Sequence, residues 1–392
     1  MRLYAYSVDF GGIALRVTCD GPFALDAGVP VKEEDVVLSH AHLDHSRHSP
    51  GKRIYATLPT LALSKILLTD AKSLDPSLPW TINDLQRSLS KAVYKPYGST
   101  FELKGAQITF YNASHILGSS LIKVECKSKE LLYTGDLGTS SFLLDHWINN
   151  VPKTENLVIE GSYFCEERPS TKKEWGKLFM FLKENLEYGP VLIAANAVGK
   201  AQEVLKFLMN YKDKLPINDV VLEGMAVDAT KVHDDMVEYL SKGEVLSWIN
   251  GSRKRLIDFV KVPKTLGERK ALSKPGTVIV APSGSLSGGM SVWWALKGIK
   301  YVTMGHLFEP ASSLLEGKDV VVEDPLGNKG KIRAPDLHLK ISRHASRQEL
   351  FQFIALSKAK RVFLVHGDEG CLRAVAEEYG FEVLRPGDEV EL

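Results

Sequence analysis

The sequence predicts an α/β protein, and three observations carry the prediction. Short runs of apolar and β-branched residues recur along the chain, most of them run into a glycine or polar turn, and segments with helical apolar spacing fall between them. In order, Phe23-Ala24-Leu25-Asp26-Ala27-Gly28 reads as a strand entering a glycine turn, and Val36 to Ser39 as a short buried strand. Gln107 to Tyr111 alternates as a half-buried strand does, and Leu131 to Asp136 is a strand running into a turn at Gly135. Leu157-Val158-Ile159 forms another apolar run. Gly189 to Ile193 is a strand followed by a helical pattern at Ala201, Val204, Leu205 and Leu208. Trp293 and Trp294 lie in an apolar helix and are expected in a core. Arg361 to Val365 is the last long strand, followed by a helix with apolar residues at Leu372, Val375, Ala376 and Tyr379.

At 392 residues, with 44% hydrophobic and 25% charged side chains, the chain is expected to be soluble and to bury two cores. No apolar stretch is long enough to span a bilayer and the start has no signal-peptide layout, so neither a membrane nor secretion is expected. Cys19, Cys126, Cys165 and Cys371 are scattered without a Cys-x-x-Cys pair, and free thiols in a cytoplasmic protein are the simplest reading. A net charge of +1 does not predict a polyanionic partner by itself. Two basic runs offer a more specific signal: Arg253, Lys254, Arg255, Lys261, Lys264, Arg269, Lys270 and Lys274, then Lys329, Lys331, Arg333, Lys340 and Arg343. Either run could track phosphates; a solvated face accounts for the first equally well.

The densest chemistry follows the Val36–Ser39 strand, where His40-Ala41-His42-Leu43-Asp44-His45 places four metal-binding side chains in six residues. Imidazole and carboxylate together suit zinc, which points to a metal site rather than a Ser or Cys nucleophile as the carrier of the reaction. His40 and His42 stand at i and i+2, so both can point to one side of the extended chain, with Asp44 and His45 on the next turn. Other candidates lie at strand ends: Asp26, a carboxylate placed to orient the first histidines; His115 in Ala113-Ser114-His115; Asp136; and His366 before Gly367. His146, His233 and His338 read instead as surface or hydrogen-bonded core histidines.

This ordered set, Asp, then His-x-His-x-Asp-His, then His, Asp and a late His, resembles the metallo-β-lactamase fold, an αββα sandwich. The resemblance implies two zinc ions, one on His40, His42 and His115, the other on Asp44, His45 and His366, with Asp136 bridging. Two ions about 3.5–4 Å apart stabilise both the attacking and the leaving oxygen of an in-line displacement, a chemistry suited to phosphodiesters. Glu160-Gly161-Ser162-Tyr163 is similar to the first motif of the β-CASP nuclease branch, Ser342-Arg343-His344-Ala345-Ser346 to its second and Val365-His366-Gly367 to its third. The implied organisation is a metallo-β-lactamase domain in two segments, 1–166 and 336–392, with an α/β β-CASP insertion over 167–335.

The resemblance also distributes roles. His344 would be the general acid and Glu160 the carboxylate fixing its tautomer, with Asp44 counted in the catalytic set as well as among the ligands. His366 is an RNA-type residue, because Artemis-like DNA-repair members carry Val there. A zinc-dependent ribonuclease acting on single-stranded RNA is therefore expected, with a homodimer admitted. Lys200, Arg343 and the Ser283-Gly284-Ser285 stretch of the Pro282–Gly289 loop are the expected substrate contacts, since small residues let backbone N–H groups approach phosphate. That loop reads equally as a flexible turn. Arg47, Ser346, Lys200 and Met304-Gly305-His306 depart from the family pattern, which leaves the subfamily open, a ligase-associated DNA exonuclease group included. A small-molecule hydrolase and a metal-free RNA-binding subunit are the alternatives outside nucleases.

Overall fold

A computed structural model describes residues 1–392, which form two compact units. The first comprises Met1–Ser140, Leu144–Glu167 and His344–Leu392; the second comprises Ser141–Leu143 and Arg168–Arg343.

The first unit contains two seven-stranded sheets. One runs Glu389–Glu391, Arg2–Asp9, Gly12–Thr18, Pro22–Leu25, Asp35–Val37, Arg53–Ala56, Val93–Tyr94 from edge to edge. The other runs Glu382–Val383, Arg361–Val365, Asn156–Glu160, Lys129–Tyr133, Ser120–Cys126, Ala106–Asn112, Thr100–Leu103. Strand side chains alternate between faces, and here both faces are buried. Leu131, Tyr133, Phe363 and Val365 join Phe23, Leu25 and Val37 in a core between the sheets. Their neighbours Leu132, Val362 and Leu364 turn the other way, onto Leu350 and Phe353 of the helix Arg347–Ser357 and onto Leu372, Val375 and Ala376 of Glu369–Tyr379. On the outer face of the first sheet, Ala24, Val36 and Leu38 meet Leu61 and Leu89 of the helices Leu58–Leu74 and Ile82–Ser90. Four layers result, helix, sheet, sheet, helix, which explains why the predicted strands are continuous apolar runs with little strict alternation.

The second unit is built on a five-stranded sheet in the order Asp219–Leu222, Thr277–Ala281, Val191–Ala194, Lys300–Met304, Leu337–Leu339, every pair parallel. The helix Lys200–Tyr211 buries Ala201, Val204, Leu205 and Leu208, and Trp293 and Trp294 are core residues at 3% and 0% exposure. Because Leu337–Leu339 pairs with Lys300–Met304, the chain leaves this unit after Arg343, later than a boundary at 336 would place it.

The cysteines overturn the expectation of free thiols. Cys19 is bonded to Cys126 and Cys165 to Cys371, leaving no free cysteine. The partners are 107 and 206 residues apart, separations at which only the folded chain brings thiols together. The first basic run is also largely committed to ion pairs. Arg253 binds Asp234 at 2.8 Å and Glu244 at 3.3 Å, Arg269 binds Glu223 at 2.8 Å, and Lys261 and Lys274 share Asp219. These are internal braces of the second unit, so the solvated-face reading is nearer than a phosphate groove. No helix is long and apolar enough to cross a membrane.

Candidate metal centre

The sheets of the first unit deliver the candidate residues at strand ends. Pro22–Leu25 and Asp35–Val37 run parallel, so Asp26 and the His40 segment emerge at the same end. Lys129–Tyr133, Asn156–Glu160 and Arg361–Val365 are likewise parallel and place Asp136, Glu160 and His366 beside one another. Asp26 and His366 have φ of +59° and +53°, left-handed turns that few non-glycine residues adopt and that gather at functional sites. Two glycines make the approach possible. A Cβ on Gly28 would lie 1.7 Å from the Asp44 carbonyl oxygen, and one on Gly138 would lie 2.0 Å from that of Ser114. The turn after Asp26 can therefore pack on the Asp44 turn, and the loop after Asp136 on the His115 loop, only without a side chain.

The donor atoms form three overlapping groups that share Asp136: His40, His42, His115 and Asp136; Asp44, His45, Asp136 and His366; and Asp136, Glu160, His344 and His366, each with ligand atoms within 4.8 Å of one another. Asp136 Oδ2 lies 3.4 Å from Nε2 of both His40 and His115. Its Oδ1 lies 3.1 Å from His45 Nε2 and 3.3 Å from His366 Nδ1. Asp44 Oδ2 is 3.4 Å from His366 Nε2 and 3.8 Å from His45 Nε2.

Nε2 of His40, His45 and His366 and Oδ1 of Asp136 are buried with no hydrogen-bond partner. Leaving one such atom unpaired costs about 1–3 kcal/mol, so four converging orphans need an occupant. Nitrogen and carboxylate donors fit zinc. Burial, aided by the neighbouring His40, pushes the pKa of His42 down to about 3, and burial holds that of His115 well below its ordinary value. Both rings are thereby kept neutral, the form a metal ligand requires.

Residues behind the donors orient them. Asp26 accepts from His45 Nδ1 at 2.7 Å, from Tyr133 Oη at 2.7 Å, and from the backbone N–H and hydroxyl of Ser39, each at 2.7 Å. Ser39 Oγ in turn lies 3.0 Å from His40 Nδ1. Asp26 thus orients His45 directly and His40 through a serine, a relay the sequence did not single out. Ser39 and Tyr133 were missed; adjacency to His40 was the one available signal, and for Tyr133 there was none. Ser162, noticed only as part of a motif, puts its hydroxyl 3.3 Å from His366 Nδ1 and 3.5 Å from His344 Nδ1.

His344 sits beside this cluster, its chain bridged to Gly138 and its neighbour Ala345 donating to Leu137 O at 2.6 Å. Nδ1 lies 3.0 and 3.1 Å from the two Glu160 oxygens, and Nε2 faces Asp136 Oδ2 at 3.8 Å. Burial alone would lower its pKa, but the carboxylates of Glu160 and Asp136 outweigh it and hold the pKa above the ordinary value. Glu160 also accepts from Leu137 N at 2.8 Å, which fixes the carboxylate. Ser346 caps the helix Arg347–Ser357 in a reciprocal pair with Glu349, which also accepts from Thr139. His146 meets Glu349 at 3.2 Å, His233 Nδ1 bonds Ala229 O and His338 Nδ1 bonds Thr303, so all three are hydrogen-bonded side chains.

The remaining candidates belong to the second unit. The Lys200 amine donates to Met304 O at 3.1 Å, and burial, with Arg343 nearby, lowers its pKa to about 8. Arg343 is 6% exposed and lies 3.8 Å from Glu203. Gly284 packs on Asn196, where a Cβ would come within 2.6 Å of its side-chain oxygen, while the hydroxyl of Ser283 meets Ser287 and that of Ser285 accepts from Phe308 N. The Pro282–Gly289 loop is thus internally braced.

Residues 335–386 match the family model described as RMMBL, a Zn-dependent metallo-hydrolase RNA specificity domain. Over 98% of its length the chain is 27% identical to RNase aCSPSF2 of Saccharolobus solfataricus, covering 83% of that protein. It is 29% identical to the transcription termination factor FttA of Methanocaldococcus jannaschii over 86% of this chain, but spans only 59% of that longer protein. Further relatives carry ribonuclease names at 29% identity. A crystal structure of a protein of unknown function from Enterococcus faecalis aligns over 100% of this chain and 99% of its own, with a TM-score of 0.64 at 14% identity, a likeness of fold.

Proposed function

Because the chain belongs to the β-CASP branch of the metallo-β-lactamase fold, we propose that it is a zinc-dependent ribonuclease that hydrolyses phosphodiester bonds of single-stranded RNA in RNA processing or decay. The observation that carries the reading is the pair of donor groups joined through Asp136, with the unsatisfied Nε2 atoms of His40, His45 and His366 gathered about its own unsatisfied Oδ1. His40, His42, His115 and Asp136 would hold one zinc and Asp44, His45, His366 and Asp136 the other. Such ions lower the pKa of water and neutralise charge on the attacking and leaving oxygens.

The protein's own groups do the rest. Asp26 and Ser39 lock the rings of His45 and His40 so that their Nε2 atoms point inward. Glu160 holds Nδ1 of His344 as a donor, which makes Nε2 the nitrogen that would protonate the departing ribose oxygen. Lys200, Arg343 and the Ser283–Ser285 stretch remain proposed substrate contacts. A homodimer and a cytoplasmic location are part of the proposal. Disulfides are rare in a reducing cytosol outside hyperthermophiles. Thiol titration of protein purified without reductant therefore tests the location: four reactive thiols would remove the disulfides, and none would favour an oxidising compartment or a hyperthermophilic source.

The decisive assay uses one RNA labelled separately at each end, beside a DNA of the same sequence, with zinc and with chelator. The expected result is zinc-dependent cleavage of RNA over DNA, and the product sizes distinguish internal from terminal cutting. Preference for DNA would establish the exonuclease alternative of the same fold, and binding without cleavage would establish the silent RNA-binding subunit.

A further inference from the structure

We infer that Phe10 is a base-stacking platform beside the metal centre, seating the base of a nucleotide that flanks the scissile phosphate; the inference rests on the ribonuclease reading. A single exposed apolar side chain needs no explanation as such. What distinguishes Phe10 is its place. It occupies the turn between Arg2–Asp9 and Gly12–Thr18, is 50% exposed, and lies with its ring centroid 5.0 Å from that of His366 at an interplanar angle of 66°.

The turn is pinned to this position. The His366 N–H donates to Val8 O at 2.6 Å, so the end of the Arg2–Asp9 strand is tied to the turn that carries the ligand. Asp9 Oδ1 accepts from Gly11 N at 2.8 Å and closes the loop around Phe10. At the same time a Cβ on Gly12 would come within 2.9 Å of Gly28 backbone, so the following strand presses on the Asp26–Gly28 turn. Phe10 is therefore held by backbone contacts on both sides, with its ring beside that of His366 and half of the residue exposed.

Of the donor residues, His366, His45 and Asp136 are buried at 1–3% exposure, whereas Asp44 retains 32% of its side-chain surface. His366 lies 3.4 Å from that carboxylate, so the aromatic ring adjoins the accessible side of the second donor group. A polynucleotide whose phosphate reaches this group must leave its bases outside it, and every base has an apolar π-face for a ring to cover. The ring recognises a base through stacking alone, without hydrogen-bond readout, so it favours a nucleotide with a base over one without while tolerating all four bases.

The test uses a short RNA with a single cleavable linkage, prepared intact and with the base removed from the nucleotide on each side in turn. For the wild type, removing one of these bases should lower kcat/KM roughly 5- to 150-fold, the range for one stacked base. Phe10→Ala should lose the same factor on intact RNA and nothing further on the abasic substrate. Phe10→Trp should restore discrimination, and Phe10→Leu, which keeps apolar contact with His366 but has no aromatic face, should not. Zinc content is measured on each preparation and should equal that of the wild type. Equal losses on intact and abasic RNA, wild-type discrimination by Phe10→Leu, or loss of zinc accounting for the defect would overturn the inference and reduce Phe10 to packing for His366. If the wild type cleaves no RNA at all, the ribonuclease reading falls and this inference with it.

Discussion

Asp136 is the residue on which most of the site converges. Four histidine nitrogens lie within 3.4 Å of its two oxygens, so truncation removes a shared donor and leaves several rings without their counter-charge. Asp136→Ala is expected to lower zinc below one ion per chain, where the wild type should hold about two, as metal analysis would read. Undiminished zinc in that variant would rule out a bridging role. His344 should behave differently: the donor group it joins, with Asp136, Glu160 and His366, contains no residue of the His40–His45 segment, and its Nδ1 is already engaged by Glu160. His344→Ala should keep its zinc and RNA affinity while cutting about 10²–10⁴ times more slowly, the usual loss for general acid–base catalysis. A substrate whose leaving oxygen is replaced by sulfur, which departs without a proton, should largely erase the defect, and an equal defect on both substrates would exclude the acid role. His233, in the other unit, offers a prediction on stability. Burial lowers its pKa from 6.5 to about 4, its hydrogen bond to Ala229 offsetting only part of that shift. Between these values the unfolded chain binds a proton that the folded one refuses, so stability present above pH 6.5 is lost as pH falls toward 4, by up to about 3 kcal/mol. His233→Gln should flatten urea midpoints measured across that window; an unchanged pH dependence would show that the ring does not matter.

Among elements, the disulfides cross-link segments of the first unit that lie far apart along the chain. Cys126 ends the Ser120–Cys126 strand of one sheet, and Cys19 follows the Gly12–Thr18 strand of the other, so this bond ties the two halves of the sandwich. Cys165 lies on the loop after Asn156–Glu160, and Cys371 on the helix that follows His366. Long closed loops lose much chain entropy when cross-linked, and removal of such a bond typically costs about 2–4 kcal/mol. Replacing Cys19 and Cys126 together by Ser should lower the stability of the first unit by that amount, read from its denaturant unfolding curve, with cleavage retained in the folded variant. No shift would show that the bond does not form in solution. The Lys329–Ile332 strand carries part of the second basic run. Lys329 faces Glu323 at 3.2 Å and Arg333 faces Asp336 at 3.4 Å, while Lys331 is exposed between them.

At the scale of the whole molecule, nearly balanced charge, 49 basic against 48 acidic residues, means that any affinity for RNA must come from local arrangements. If the Lys329–Arg333 stretch binds phosphates, removing its charges should flatten the salt dependence of RNA binding by about 0.7 in logarithmic slope for each phosphate that is no longer neutralised. An unaltered slope would leave this stretch a solvated face.

Much of this was legible in the order of residues. The candidate metal cluster is readable because four of its members fall within six residues, and because strand-to-turn transitions at Asp26, Asp136 and His366 mark where parallel strands expose their ends. Helical apolar spacing likewise located Lys200–Tyr211 and Glu369–Tyr379, since periodicity is a local property. What lacked a local signal was set by the tertiary structure. The cysteine pairs join residues more than a hundred positions apart, the Leu337–Leu339 strand belongs to the second unit only through its pairing with Lys300–Met304, and the first basic run is neutralised by carboxylates from elsewhere in the fold. Tyr133 and Ser39 serve Asp26 for the same reason: a hydrogen-bond partner is chosen by proximity in space, and sequence records proximity only along the chain. The residue types and their spacing determined the chemistry; the packing of sheets and turns decided which atoms meet to perform it.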